Sequence, residues 1–123
     1  MQVLKNKPFH KWQKTEKIGN KALLDVVVAI ESGLIDADLG GLLYKQRVAT
    51  GNRGKSKGAR VVVAMKVGAR VVFLHGFAKN VADNISQTEL RALKKLAKFY
   101  MDLPYKEVLK AIKSGILFEV QND

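Results

Sequence analysis

Two valine-rich runs lie close together in the middle of the chain, in residues 59–77, ARVVVAMKVGARVVFLHGF. Short runs rich in β-branched and aromatic side chains are typical of buried strands, and the glycine between these runs marks a turn. We therefore predict strands at Ala59–Lys66 and Arg70–Phe77, joined by a hairpin turn at residues 67–69. Strands joined by so short a connection pair antiparallel.

A third strand is predicted just before this hairpin, in residues 42–49, where charged and uncharged side chains alternate. Because side chains two positions apart share a face of a strand, Lys45 and Arg47 would share one face, and the uncharged residues around them the other. The next segment, Thr50–Gly58, is rich in glycine and bases and is predicted to be a loop. Three strands in succession favour an antiparallel meander.

Helical patterns precede the strands. Residues 1–7 could form a short strand or an extended lead-in to a helix that has Pro8 in its first turn and runs to about Ile18. Asn20 is predicted to cap a second helix over residues 21–32. The buried stripe of this helix would comprise Leu23, Val27, Ile30 and Leu34. Gly33 can end the helix.

A turn-rich link is predicted at Asp36–Gly41, before the strands, and helical patterns follow them. Ser86 and Glu89 match a capping box at the start of a long helix. Its buried stripe would comprise Leu90, Leu93, Leu96, Ala97 and Tyr100. A short helix from about Pro104 to Gly115 would turn three residues inward: Val108, Leu109 and Ile112. With a last strand at 116–120, the order of elements predicts an α+β domain, and 123 residues suit a single domain over 1–123.

Composition narrows the class of protein. Apolar residues make up 47% of the chain, which excludes a wholly disordered basic tail. The absence of cysteine excludes a disulfide scaffold, a cysteine-ligated zinc site and a thiol nucleophile. The start of the chain is too polar for a secretory signal, and no apolar run approaches the roughly 20 residues that span a bilayer. We therefore expect a cytoplasmic protein that does not bind membranes.

The positive charge is concentrated in one part of the chain. The 22 basic and 11 acidic residues give a net charge of +11. No acidic residue lies between Leu39 and Ala82, whereas nine bases do. A charge that served solubility alone would be spread over the surface, so this distribution predicts a polyanionic partner, with nucleic acid as the first candidate.

These bases could form one cationic surface if the faces of the three strands coincide. The candidates on the strands are Lys45, Arg47, Arg60, His75 and Phe77, with Lys79 if the third strand continues. The loop would add Arg53, Lys55 and Lys57 at the edge of the surface. Bases interleaved with an aromatic ring suit single-stranded RNA, because they neutralise phosphates and offer a stacking surface.

The same residue types could also cleave RNA. Attack by a 2′-hydroxyl on the neighbouring phosphate needs a base, positive charge and an acid for the leaving oxygen. Histidine commonly serves as acid or base near neutral pH. Like-charged neighbours lower the pKa of a clustered lysine, so that it too can serve as acid or base. Arginine supplies fixed positive charge. A metal mechanism would want carboxylate ligands, which residues 39–82 lack, so neither metal nor cofactor is implied. The structural alternative for His75 is a side chain that only packs on its valine-rich strand.

Several stretches together resemble the RelE/HigB group of type II toxin–antitoxin toxins, in the branch near the second HigB type. These stretches are residues 36–41 with 43–47, Arg53-Gly54-Lys55-Ser56 followed by Gly58-Ala59-Arg60, residues 72–80, residues 90–98 and the closing residues 115–120. The resemblance implies N-terminal helices packed on a curved antiparallel sheet of three to five strands, with C-terminal helices added. It also implies a metal-independent, ribosome-dependent mRNA endonuclease that a cognate antitoxin protein inhibits.

Matched by position, the resemblance assigns roles to individual bases. It implies catalytic roles for Lys45 and Arg47, contact with the scissile phosphate for Arg60, and RNA contact for Lys55. Lys79 stands near a position where the family often has a base. The catalytic candidates are therefore Lys45, Arg47, Arg60, Lys79 and His75, and the RNA-binding candidates are Arg53, Lys55, Lys57 and Phe77. Many members have tyrosine in place of His75 and glycine in place of Lys57, so the general acid is His75 or no dedicated residue.

Two other functions stay open on the sequence. ParE toxins share this architecture but poison DNA gyrase, and fold alone does not choose between targets. Clustered bases favour RNA over gyrase as the target. A non-catalytic RNA-binding or ribosome-binding protein would explain the charge equally well, and would show salt-dependent binding without cleavage.

Overall fold

The computed structural model describes residues 1–50, 58–78 and 85–122. The elements in these ranges are, in chain order, β1 (Gln2–Asn6), α1 (Lys7–Thr15), α2 (Asn20–Glu31), β2 (Ala37–Gly40), β3 (Leu43–Val48), β4 (Ala59–Lys66), β5 (Arg70–Ala78), α3 (Gln87–Asp102), α4 (Tyr105–Lys113) and β6 (Leu117–Glu119). The three central strands and their antiparallel pairing are as predicted. Residues 37–40 were predicted to be a link, but they form a strand because they pair with β3.

The strands form one mixed sheet in the order β2-β3-β4-β5-β1-β6. The α+β class is confirmed, but the described sheet has six strands rather than three to five, and it is not wholly antiparallel. Strand β1 pairs parallel with β5, and β6 then adds antiparallel to β1. The chain can do this because α1 and α2 intervene between β1 and the meander, and long connections permit parallel pairing.

Side-chain caps start two of the described helices, α1 and α3. The Asn6 side chain accepts a hydrogen bond from the Phe9 N–H (2.9 Å) and so caps α1. Ser86 and Glu89 form the predicted capping box of α3. The prediction for Asn20 was wrong, because the N-cap of α2 is Gly19. The Asn20 side chain instead bonds to Gln121 (3.0 Å) and Gln13, and so ties α2 to the C-terminal segment.

Each face of the sheet carries its own core. One core packs α1 and α2 against side chains such as Val61 and Phe73. The other packs α3 and α4 against side chains such as Val62 and Leu4. Two predictions of burial were wrong: Leu34 lies beyond the end of α2 and is 71% exposed, and Leu109 is 47% exposed on the outer side of α4.

Arg70 shows that one base of the acid-free stretch has a structural role. Its guanidinium donates to the carbonyl oxygens of Tyr100 (2.7 Å) and Leu103 (2.8 Å) at the end of α3. Arginine donors there satisfy carbonyls that the helix leaves without partners. This contact fixes the C-terminal end of α3 at the start of β5.

Candidate nucleic-acid interface

The register of three strands brings the candidate residues onto one face of the sheet. Arg60 of β4 lies between Arg47 of β3 and Phe77 of β5. Two residues further along β4, Val62 lies between Lys45 of β3 and His75 of β5. Directly paired residues point to the same face of a sheet, and Val62 and Phe77 belong to the core on the α3/α4 side. We call the set Lys45, Arg47, Arg60, His75 and Phe77 the basic face.

A β-bulge puts His75 on this face. Val62 pairs with His75, whereas the next residue, Val63, pairs with Phe73, so Leu74 is an extra residue on β5. A bulge changes which residues share a face. Phe73 therefore packs in the α1/α2 core, while Phe77 and His75, the partner of Val62, lie on the opposite face.

The members of the basic face differ in exposure. The Arg47 side chain is 49% exposed. Lys45, Arg60 and His75 are half-buried, and Phe77 is only 9% exposed. The Phe77 ring lies 5.8 Å from the His75 ring, between centroids, and packs against the α3/α4 core. The Phe77 ring packs beneath the basic face next to His75 and leaves little of its own surface exposed for stacking on an RNA base.

Two arginines lie directly opposite each other in the basic face. Arg47 and Arg60 are register partners, and like charges in that relationship destabilise a sheet. Asp36 offsets this repulsion. Its Oδ1 accepts from the Arg47 guanidinium at Nη2 (3.0 Å) and Nε (3.2 Å), and its Oδ2 accepts from the Arg47 backbone N–H (2.8 Å).

The pKa of Asp36 reflects this arrangement. Burial alone would raise it, but hydrogen bonds from the backbone and side chain of Arg47, with the charges of Arg47 and Arg60, outweigh burial. The net pKa of the Asp36 carboxyl is lowered. Asp36 is thus a carboxylate at neutral pH and a poor proton acceptor, because a useful general base has a pKa near the working pH.

Sequence reasoning missed Asp36 because it lies just before the acid-free stretch, in a segment that was predicted to be a link. In the structure β2 and β3 form a hairpin, and Ala37 pairs with Lys45. Continued by one residue, this register sets Asp36 opposite Gln46, next to Arg47 along β3, where the Asp36 carboxylate reaches Arg47. The hairpin turn is at Gly41 and Leu42, because Gly40 pairs with Leu43. The glycines at 40 and 41, both with positive φ, were the local signal for a tight turn near this point.

Four predicted residues lie outside the described residues: Arg53, Lys55, Lys57 and Lys79. Their roles stay predictions. Within the described ranges, no three His, Cys, Asp or Glu side chains converge to hold a metal ion. None of the helices in those ranges is long and apolar enough to cross a membrane.

The second histidine, His10, lies away from the basic face. Its ring stacks on Phe118 of β6, with centroids 4.0 Å apart and planes within 4°. Its Nδ1 is buried and has no hydrogen-bond partner among the residues that the structure describes. Burial and the charges of Lys5 and Lys14 lower the pKa of His10. These features indicate a neutral, packed imidazole.

Fold and site together define a small α+β protein in which one face of the sheet carries clustered basic side chains. The family model for the RelE toxin of the RelE/RelB toxin–antitoxin system matches residues 1–120. The chain belongs to the RelE toxin family, and it is the toxin of a toxin–antitoxin system with an antitoxin as its implied partner. No individual curated protein gives a significant match.

Proposed function

We propose that this toxin is an endoribonuclease that cleaves mRNA on the ribosome and so inhibits translation in the cytoplasm. One observation carries the proposal: adjacent strands group Arg47, Arg60 and His75 on one face of the sheet, beside Lys45. Fixed positive charge and a titratable imidazole are what transesterification of RNA requires. Membership in a family known for endoribonuclease toxins supports the same activity.

The proposed reaction uses only groups of the RNA and the toxin. The 2′-oxygen attacks the adjacent phosphorus, the bond from phosphorus to the 5′-oxygen breaks, and the products are a 2′,3′-cyclic phosphate and a 5′-hydroxyl. Arg60 and Arg47 stabilise the doubly charged phosphorane by charge and hydrogen bonding. Lys45 assists proton removal from the 2′-hydroxyl, and His75 gives a proton to the leaving 5′-oxygen.

The remaining predicted bases extend this proposal. Arg53, Lys55 and Lys57 would hold the RNA backbone at the edge of the basic face, and Lys79 would add charge near the phosphate. The cognate antitoxin would inhibit by laying an acidic segment over the basic face, because opposite charge favours that contact. The narrower HigB branch belongs to the same proposal, on the motifs at residues 36–47 and 72–80.

The test is a reconstituted translation reaction with purified toxin and a defined mRNA, with and without ribosomes, in which primer extension maps new 5′ ends. Cuts that require ribosomes support the proposal. Intact mRNA with unimpaired translation contradicts it, and DNA gyrase inhibition would then support the ParE alternative. Salt-dependent RNA binding without cleavage or growth arrest would support the non-catalytic alternative.

A further inference from the structure

Asp36 binds Arg47 in a way that leaves part of the guanidinium open. A guanidinium has five N–H donors in a planar fork. Asp36 takes the edge formed by Nε and Nη2, both donating to Oδ1. The Nη1 donors do not take part in this contact, and the Arg47 side chain is 49% exposed. A phosphate can therefore approach the Nη1 end of the guanidinium while Asp36 stays hydrogen-bonded to Nε and Nη2.

Asp36 is itself held in place by a buried side chain of β3. Gln46 is 3% exposed and lies on the other face of the sheet. Its Oε1 accepts from the Asp36 N–H (2.7 Å), and its Nε2 donates to the Leu34 carbonyl (3.1 Å). These two bonds fix the segment between α2 and β2 from within the fold. The order of support thus runs from Gln46 to Asp36 to Arg47.

From this geometry we propose that Asp36 is a positioning residue for RNA cleavage, which holds the Arg47 guanidinium in the orientation that receives the scissile phosphate. The inference rests on the proposed function. A long arginine side chain loses much rotational freedom when it is ordered, and a small misplacement of a catalytic group can cost a large part of the rate. Asp36 orders Arg47 before RNA arrives.

A simple charge effect would act in the opposite direction. Asp36 is one of the acids nearest the basic face, and removing its charge would strengthen the attraction of the surface for RNA. Loss of positioning instead lowers the turnover of bound RNA. The two effects separate because charge acts mainly on KM and positioning acts on kcat.

The experiment compares Asp36→Asn with wild type in the ribosome-dependent cleavage reaction. Asparagine keeps an oxygen that can accept from the Arg47 backbone N–H, so the strand edge keeps its hydrogen bond. The control is Asp25→Asn, which removes one carboxylate of an exposed Lys21–Asp25 pair on α2 (3.2 Å). We expect Asp36→Asn to lower kcat about tenfold with KM unchanged or reduced, and Asp25→Asn to stay within about twofold.

A double-mutant cycle shows whether Asp36 acts through Arg47. In an Arg47→Ala background, adding Asp36→Asn should change kcat by less than about twofold. Arg47→Lys keeps the charge but lacks the planar fork, so it should lose about as much as Asp36→Asn does. This variant leaves Asp36 untouched and tests the same contact should Asp36→Asn be poorly folded.

Each outcome has one meaning. Equal kcat for the Asp36→Asn and Asp25→Asn proteins overturns the inference. A tenfold loss of kcat on adding Asp36→Asn to the Arg47→Ala protein overturns it as well. In both cases wild type still cuts mRNA, so the proposed function stands. If wild type does not cut on ribosomes, the proposed function fails and the inference falls with it.

Discussion

His75 lies opposite Val62 on the neighbouring strand, one position out of step with Phe73, which lies opposite Val63. Regular alternation through Leu74, without the bulge, would put His75 on the same face as Phe73, toward α1. The bulge instead places the imidazole 5.8 Å from Phe77, between ring centroids, on the face that carries Arg60. Bulges often re-aim side chains next to functional sites.

His75 shares the basic face with Lys45 and Arg60. If His75 donates the proton to the leaving oxygen, His75→Ala should lower the rate of mRNA cleavage by about 10²-fold or more. His75→Tyr should retain more activity than His75→Ala, because the tyrosine hydroxyl can also donate a proton. Primer extension in the translation reaction measures both rates. Wild-type cleavage by the alanine variant would assign His75 to packing alone.

Arg60 lies on the middle strand of the basic face. It is half-buried in the middle strand, and its guanidinium makes only a long hydrogen bond to the adjacent Ala59 carbonyl (3.4 Å) among the described contacts. Removing a charge that stabilises the transition state typically costs 10²–10³-fold. Arg60→Ala should therefore lose about that much cleavage and abolish growth arrest, with an unchanged circular dichroism spectrum.

The matched control for Arg60 lies on the same strand. Lys66→Ala removes an exposed base beside the hairpin turn, at the far end of β4. Growth arrest by this variant should match that of wild type. Toxicity of Arg60→Ala at the wild-type level would remove Arg60 from the proposed mechanism.

Gly76 allows α1 to pack closely on β5. A Cβ atom at this position would overlap the Trp12 ring, and overpacking of this kind typically costs about 1–3 kcal/mol. Gly76→Ala should lower the free energy of unfolding by that amount in urea titration. In a Trp12→Leu background the same change should cost much less, because the ring is gone. An equal cost in both backgrounds would show that the Trp12 contact is not the cause.

His10 makes stability depend on pH. Burial and the neighbouring lysines lower its pKa in the folded protein below the ordinary value of 6.5. Between the two values the unfolded chain binds more protons than the folded protein, so acidification through this window lowers the free energy of unfolding. The urea concentration at the unfolding midpoint of wild type should be lower at pH 5.5 than at pH 7.5. These two pH values were chosen because they bracket the ordinary histidine pKa of 6.5.

The matched variant is His10→Phe, which keeps an aromatic ring against Phe118 but cannot bind a proton. Its urea midpoint should fall less than that of wild type over the same pH range. Carboxyl groups elsewhere contribute equally to both proteins, so the difference between them reports His10. An identical fall in both would mean that His10 does not carry this pH dependence.

Local patterns in the sequence were sufficient for much of the fold. The runs at 59–66 and 70–77 predicted β4 and β5, and Ser86 with Glu89 predicted the start of α3. These features depend on residues close in the chain, through side-chain periodicity and capping. Asn20 was misassigned because its amide has a long-range partner, Gln121, which a local pattern does not contain.

The candidate site, like the fold, was only in part predictable from the sequence. The sequence by itself determined that the positive charge is concentrated between residues 39 and 82, and that Lys45 and Arg47 share a face of their strand. Only the tertiary structure decided that His75 shares that face and that Asp36 holds Arg47. The bulge and the β2–β3 pairing depend on which strands are neighbours and in which register. Register is set by packing of whole strands against the two cores, and an alternating pattern within one strand does not specify it.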